Sequence, residues 1–230
     1  PAAARGLMEG DVIVRINRRE FASLAEAQAL IANSRNLVLD IRRANREMLT
    51  LYGEALGGKN EKRWRIEHAQ VVNENDFPLF AKYDIIPSVQ PTHATSDMYW
   101  AEDRIGDQRL HGAYAYKKLL QTRGIMPLGT DFPVEDISPI KTFYAAVTRR
   151  DKDWYPSGGF LPGQALTREE ALKGMTIWAS YSIFEEKKKG SLEKGKAADF
   201  VVLDQDIMMC DEKDILKTKV LKTYLDGELV

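Results

Sequence analysis

Between residues 64 and 131, three short apolar runs each lead to a side chain able to bind a metal ion or move a proton. Trp64-Arg65-Ile66-Glu67 alternates like a strand and delivers His68. Ile85-Ile86-Pro87-Ser88-Val89-Gln90 passes through Pro91-Thr92 to His93, and Ile125-Met126-Pro127-Leu128-Gly129-Thr130 ends at Asp131. Helical patterns near 74–82 and 109–122 separate the runs, so the spacing predicts successive βα units with parallel strands. A (β/α)8 barrel builds its catalytic rim in this way, from side chains at strand ends. A strand-end His taken alone reads first as a hydrogen-bonded structural residue. Three such ends in succession are hard to explain as packing.

Composition narrows the partners. Lys plus Arg number 33 against 34 Asp plus Glu, a net charge of −1, so nothing in the balance points to nucleic acid or an anionic membrane. A length of 230 residues with 44% hydrophobic content suffices for a sizeable core. The one cysteine, Cys210, excludes an internal disulfide framework and suits a reducing compartment. No run reaches membrane-spanning length and no signal pattern opens the sequence, so a cytoplasmic location is the expectation.

Residues 1–43 differ in character from the rest. Gly10–Asn17 alternates like a strand, Ser23-Leu24-Ala25-Glu26 has the form of a capping box opening a helix, and Leu37–Ile41 reads as another strand. From Ala44 an amphipathic helix runs to Leu56 and closes at Gly57-Gly58. Residues 151–163, rich in Pro, Gly and aromatics, read as an active-site loop. Thr167-Arg168-Glu169-Glu170 is a second capping box, and Lys187–Lys189 is expected to close a helix before Gly190. Gly190-Ser191-Leu192-Glu193-Lys194-Gly195-Lys196-Ala197-Ala198-Asp199 precedes the β-branched run Phe200–Leu203, and Val220–Leu225 forms a last strand before the turn Asp226-Gly227.

Two resemblances follow from these motifs. The order Ala-Ala-Ala-Arg-Gly-Leu, Gly-Asp-Val-Ile, Ser-Leu-Ala-Glu-Ala-Gln-Ala-Leu-Ile and a closing strand resembles the second half of a PDZ domain over residues 1–43. That family binds peptide C-termini between a strand and the helix that corresponds here to 24–33. The Gly-rich carboxylate loop and the pairing strand have no counterpart, so a structural αβ segment is the preferred reading. From residue 44 onward, Ile-Glu-His-Ala-Gln, Gly-Thr-Asp-Phe-Pro and Gly-Ser-Leu-(x)2-Gly-Lys-(x)-Ala-Asp-Phe-Val-Val-Leu resemble the C-terminal part of a metal-dependent amidohydrolase. This implies the last three strands of a (β/α)8 barrel over 44–185 and strands of a small β-sandwich over 186–230.

The second resemblance also implies roles. His68 and Asp131 would bind a divalent metal, zinc first, and Asp131 would take a proton from the attacking water. His93, Asp97 and Trp100 would contact a small amide or cyclic amide substrate, and the reaction would be hydrolysis of a carbon–nitrogen bond other than a peptide bond. The family takes further ligands from a His-x-His pair and from residues after its fourth and fifth strands. This sequence has three histidines (68, 93 and 111) and no His-x-His. Two ligands are fewer than a catalytic zinc commonly takes from protein, so weak or absent metal binding and little hydrolysis by the isolated chain are expected. Three strands leave two open edges, which predicts an oligomer or a second chain completing the barrel. Two readings stand beside the enzyme: a PDZ-like interaction module, and a chimeric or truncated chain without function.

Overall fold

The computed structural model describes residues 61–230, the strands β1 (Val12–Ile16) and β2 (Leu39–Arg42), and single positions at 23, 25, 26, 29 and 55. β1 and β2 pair antiparallel, Val12 opposite Arg42, with a register shift between Ile13 and Arg15. Both fall where the alternation of residues puts them. Apart from single helical positions, the helices expected over 24–33 and 44–56 lie outside the described residues, and so does the peptide groove that the PDZ resemblance implies.

The functional half of the molecule is organised by a small parallel sheet. β3 (Arg65–Glu67) pairs in parallel with β4 (Ile86–Ser88), and Val89 bridges in parallel to Leu128. The run 85–90 is buried throughout, as a parallel strand covered on both faces must be. The strand expected over 125–130 contracts to that single bridge, for a backbone reason. Pro127 has no N–H to donate, and the N–H of Leu128 goes instead to Gly174 O at 3.0 Å. Gly174 permits this approach because a Cβ there would lie 2.5 Å from Leu128 Cγ.

Helices cover this sheet. α1 (Phe77–Lys82) carries Pro78 in its first turn and buries Phe77 and Phe80. α2 (Pro91–Asp97) starts after β4 with only Val89 and Gln90 between, again with proline in the first turn. The helix expected over 109–122 is split: Asp107–Leu110 forms one turn, and α3 (Tyr116–Arg123) begins only after an interruption. The interruption is used, because Val71 bridges antiparallel to Ala113, Val72 N–H donates to Gly112 O and Tyr114 N–H donates to Gln70 O. Gly112 is required there, since a Cβ would sit 1.9 Å from Val72 O. α3 stops at Gly124, which is left-handed at φ 85° and returns its N–H to Leu120 O. α4 (Pro139–Thr148) contributes Phe143, Tyr144 and Ala146 to the core.

The capping box at Thr167 is present. Glu170 N–H donates to Thr167 Oγ1 at 3.1 Å, Thr167 N–H donates to Glu170 Oε2 at 2.7 Å, and α5 (Arg168–Met175) follows. Glu170 also binds Lys117 Nζ of α3, so one carboxylate both caps a helix and fastens it to its neighbour. A helix at Ile177–Ser182 then ends, and Lys187–Lys189 lie in turns rather than closing a helix as expected. Arg63 holds this segment to the start of β3. Its guanidinium forms a two-pronged pair with Glu186 at 2.8 Å on each arm, donates to Tyr181 O, and stacks over the Tyr181 ring. A separate antiparallel sheet follows: β5 (Phe200–Leu203), β6 (Val220–Leu225) and β7 (Glu228–Leu229), in that order. No helix among the described residues is long and apolar enough to cross a membrane.

Candidate metal centre

His68, His93 and Asp131 converge on the same edge of the parallel sheet, each offering a ligand atom within 4.8 Å of the others. His93 Nε2 lies 3.5 Å and His68 Nδ1 3.9 Å from the same oxygen, Oδ2 of Asp131. The two imidazoles stack 5.6 Å apart at 16°. Two nitrogen or oxygen ligands at 2.0–2.1 Å from a tetrahedral ion stand roughly 3.4 Å apart, close to the His93–Asp131 separation. His93 Nε2 is buried and has no hydrogen-bond partner among the described residues. A buried imidazole nitrogen without a partner costs free energy unless something occupies its lone pair. The donor set of two imidazoles and a carboxylate is one that zinc accepts.

The backbone at these positions is unusual. His68 (φ 67°), Ala69 (φ 38°) and Asp131 (φ 58°) all adopt left-handed conformations that side chains other than glycine's disfavour. Each costs of order 1 kcal/mol or more, and such residues cluster at functional sites. At Asp131 the turn is held by Phe132 N–H donating to Thr130 Oγ1 and Val134 N–H donating to Asp131 O. Ser96 Oγ on α2 donates to Glu135 Oε1, tying the His93 helix to the Asp131 turn.

A second layer supports the imidazoles. Gln90 Oε1 lies 3.0 Å from His68 Nδ1, while the Gln90 carbonyl accepts from His93 N–H and from the Tyr116 hydroxyl. Gln70 Oε1 lies 3.3 Å from His93 Nδ1, and Gln70 Nε2 reaches Asp97 Oδ2 at 2.7 Å. The Tyr114 hydroxyl donates to that same Asp97 oxygen at 2.9 Å. Burial pushes the Tyr114 phenol well above its ordinary value, so it keeps its proton and remains a donor.

These positions can be set against the sequence expectations. His68 and Asp131 face a common space. His93, expected to touch substrate, joins them in one potential ligand set. Asp97 turns its carboxylate oxygen to Gln70 and Tyr114, and Trp100 lies at the surface, 46% exposed. Three side chains that could hold an ion thus come together where two were expected. Gln70, Gln90 and Tyr114 were not singled out from sequence. The available signals were the Gln two residues past His68 and the glycine at 112 that breaks a helical run. The 151–163 loop folds around Asp151, whose Oδ1 accepts from the N–H groups of Asp153 and Tyr155. Its Oδ2 accepts from the Tyr99 hydroxyl, and this bond raises the Tyr99 phenol to about 12. The loop reaches the second layer through Phe160, edge-on to Tyr114 at 5.7 Å.

Similarity to known proteins agrees with this picture. The chain is 33% identical to Protein LONG AFTER FAR-RED 3 of Arabidopsis thaliana over 189 residues, 81% of this chain and 32% of that protein. It is 30% identical to Putative amidohydrolase YtcJ of Bacillus subtilis over 172 residues, 75% of this chain and 32% of that protein. The chain thus spans about a third of the length of these relatives. A crystal structure of an uncharacterized metal-dependent hydrolase from Pyrococcus horikoshii superposes with a TM-score of 0.62 at 28% identity, covering 72% of this chain and 32% of that one. The family model described as "Amidohydrolase family" matches residues 39–230, starting within β2 and so five residues before the change of character at Ala44. With the match running over most of its length, the chain belongs to the amidohydrolase family.

Proposed function

We propose that this chain carries part of the metal-binding rim of a (β/α)8-barrel hydrolase that cleaves a carbon–nitrogen bond, other than a peptide bond, in a small amide or cyclic amide. The observation that carries the reading is the convergence of His68, His93 and Asp131, with a buried imidazole nitrogen that has no hydrogen-bond partner among the described residues. Those three residues would hold a divalent cation, zinc first. When bound, such an ion lowers the pKa of a coordinated water to about 7 and polarises a carbonyl oxygen. Asp131, at the mouth of the site with its side chain one-third exposed, takes the proton from the attacking water. His93, buried against α2, keeps its position through Gln70. Further polypeptide, from the same protein or a second copy, closes the barrel and supplies the remaining ligands, because among the described residues β3 has only β4 as a strand partner.

The test is zinc binding followed by equilibrium dialysis of the metal-stripped chain, with amide hydrolysis read beside it. One ion per chain is expected, lost in His93→Ala and in Asp131→Asn, with any amine release from a panel of small amides abolished by chelation. Hydrolysis that persists after metal removal, or zinc retention unchanged in both variants, overturns the proposal.

A further inference from the structure

We infer that Gln70 and Asp97 act as positioning residues that fix which ring nitrogen of His93 carries the proton, leaving Nε2 as a lone pair aimed at Asp131. The inference rests on the metal-binding reading only for its purpose, because the proton's location follows from hydrogen-bond chemistry alone. Asp97 as a carboxylate can only accept. Its Oδ2 receives the Tyr114 hydroxyl at 2.9 Å, so the nitrogen of the Gln70 amide, at 2.7 Å, must be the group turned toward it. The same nitrogen sits 3.3 Å from the Tyr114 oxygen. The carboxylate thereby fixes the amide nitrogen of Gln70 on the Asp97 side and its oxygen on the other.

The Gln70 oxygen then faces His93 Nδ1 at 3.3 Å. An amide oxygen cannot donate, so Nδ1 must carry the hydrogen. A neutral imidazole protonated on Nδ1 has its lone pair on Nε2. That is the atom buried without a partner, 3.5 Å from Asp131 Oδ2. The sequence thus runs from Asp97 through an amide to an imidazole, with one proton position allowed at each link. Partners of this kind behind a metal-ligating His orient the ring and raise its basicity. The backbone serves the same end: Tyr114 N–H donates to Gln70 O at 2.7 Å, so the strand-like contact of 70–72 with 112–114 brings Gln70 and Tyr114 together.

The experiment is long-range 1H–15N correlation on the metal-free chain labelled at its histidine rings, at pH 8.5. Three histidines make assignment by His93→Gln and His111→Gln direct. His93 is expected with a protonated Nδ1 and an unprotonated Nε2. Asp97→Asn, whose amide oxygen can still accept from both Gln70 and Tyr114, keeps that pattern. Asp97→Leu and Gln70→Leu, with near-ultraviolet circular dichroism unchanged, move the proton toward Nε2 and weaken zinc binding by about 10–100-fold. A wild-type His93 protonated on Nε2 overturns the inference, as does an unchanged pattern in both leucine variants. If the leucine variants do not fold, the wild-type and Asp97→Asn spectra decide it. If the chain proves not to bind metal, the spectrum still reports the proton position, so the two proposals fail separately.

Discussion

Two of the three sheets among the described residues are built on opposite terms. The parallel sheet of β3, β4 and Leu128 is short and interrupted by prolines, yet β4 is buried throughout and covered by helices. The antiparallel sheet of β5, β6 and β7 has a longer β5–β6 ladder with a register shift between Val202 and Leu203, and Val201, Leu221, Leu225 and Leu229 are all half-exposed or more. Length of ladder and burial are therefore separate properties among the described residues. Burial goes with β4, which leads to His93, and with Met126, Pro127 and Leu128 before Asp131, whereas β3, which presents His68, is exposed at Arg65 and Glu67. Burial therefore lies behind the segments that lead to His93 and Asp131, while the C-terminal sheet is largely exposed.

The largest expected effect sharpens that contrast at the site. Asp131→Asn and His93→Ala should weaken zinc binding by more than the ~10–100-fold that loss of an outer partner costs, read by titration calorimetry. Their denaturation midpoints should stay close to wild type. A collapse of stability in Asp131→Asn would mean that the carboxylate serves the fold first. Next, Phe143→Ala in the fully buried core should cost about 3–5 kcal/mol in chemical denaturation. A cost below ~1 kcal/mol would contradict the place of Phe143 in the packed core.

A smaller effect concerns the fastening between β3 and the segment leading to the second sheet. The Arg63 guanidinium, hydrogen-bonded to Glu186, holds that carboxyl at about 2 against an ordinary 4.5. A folded-state value below the unfolded one means the contribution is present above the ordinary range and is lost as pH falls through the folded value. Stability should therefore decline between about pH 4.5 and pH 2, and that slope should flatten in Glu186→Gln. Both side chains are partly exposed, so the substitution at neutral pH should cost about 1 kcal/mol. The smallest effect is on β6: Leu221→Ser, at a position 59% exposed, should change stability by no more than ~0.5 kcal/mol. A loss comparable to Phe143→Ala would show that the second sheet is covered in solution.

Much of the fold was legible in the residues. Alternation and buried runs mark 65–67 and 86–89, and the Thr167 box follows from side-chain chemistry that sequence displays. What was not legible depends on contacts between distant segments. The loss of the strand at 125–130 needs Gly174 to capture the N–H of Leu128, which no local pattern announces. The split in the 109–122 helix arises because residues 112–114 pair with 70–72. At the site, His68 and Asp131 could be chosen because each ends a strand. His93 lies five residues beyond the end of β4, in the first turn of α2, where spacing does not reveal which way the ring points. The family resemblance implies substrate contact for Asp97, and its carboxylate oxygen meets Gln70 and Tyr114. Its partner Tyr114 is 17 positions away, and only the fold brings them together.

The central claim is that two imidazoles and one carboxylate of this chain share an ion. X-ray absorption at the zinc edge on the loaded chain tests it most directly. The expected spectrum shows imidazole scattering from two nitrogens together with oxygen ligands at about 2.0–2.1 Å, falling to one imidazole in His93→Ala. A first shell without imidazole, or one that His93→Ala leaves unchanged, would contradict it.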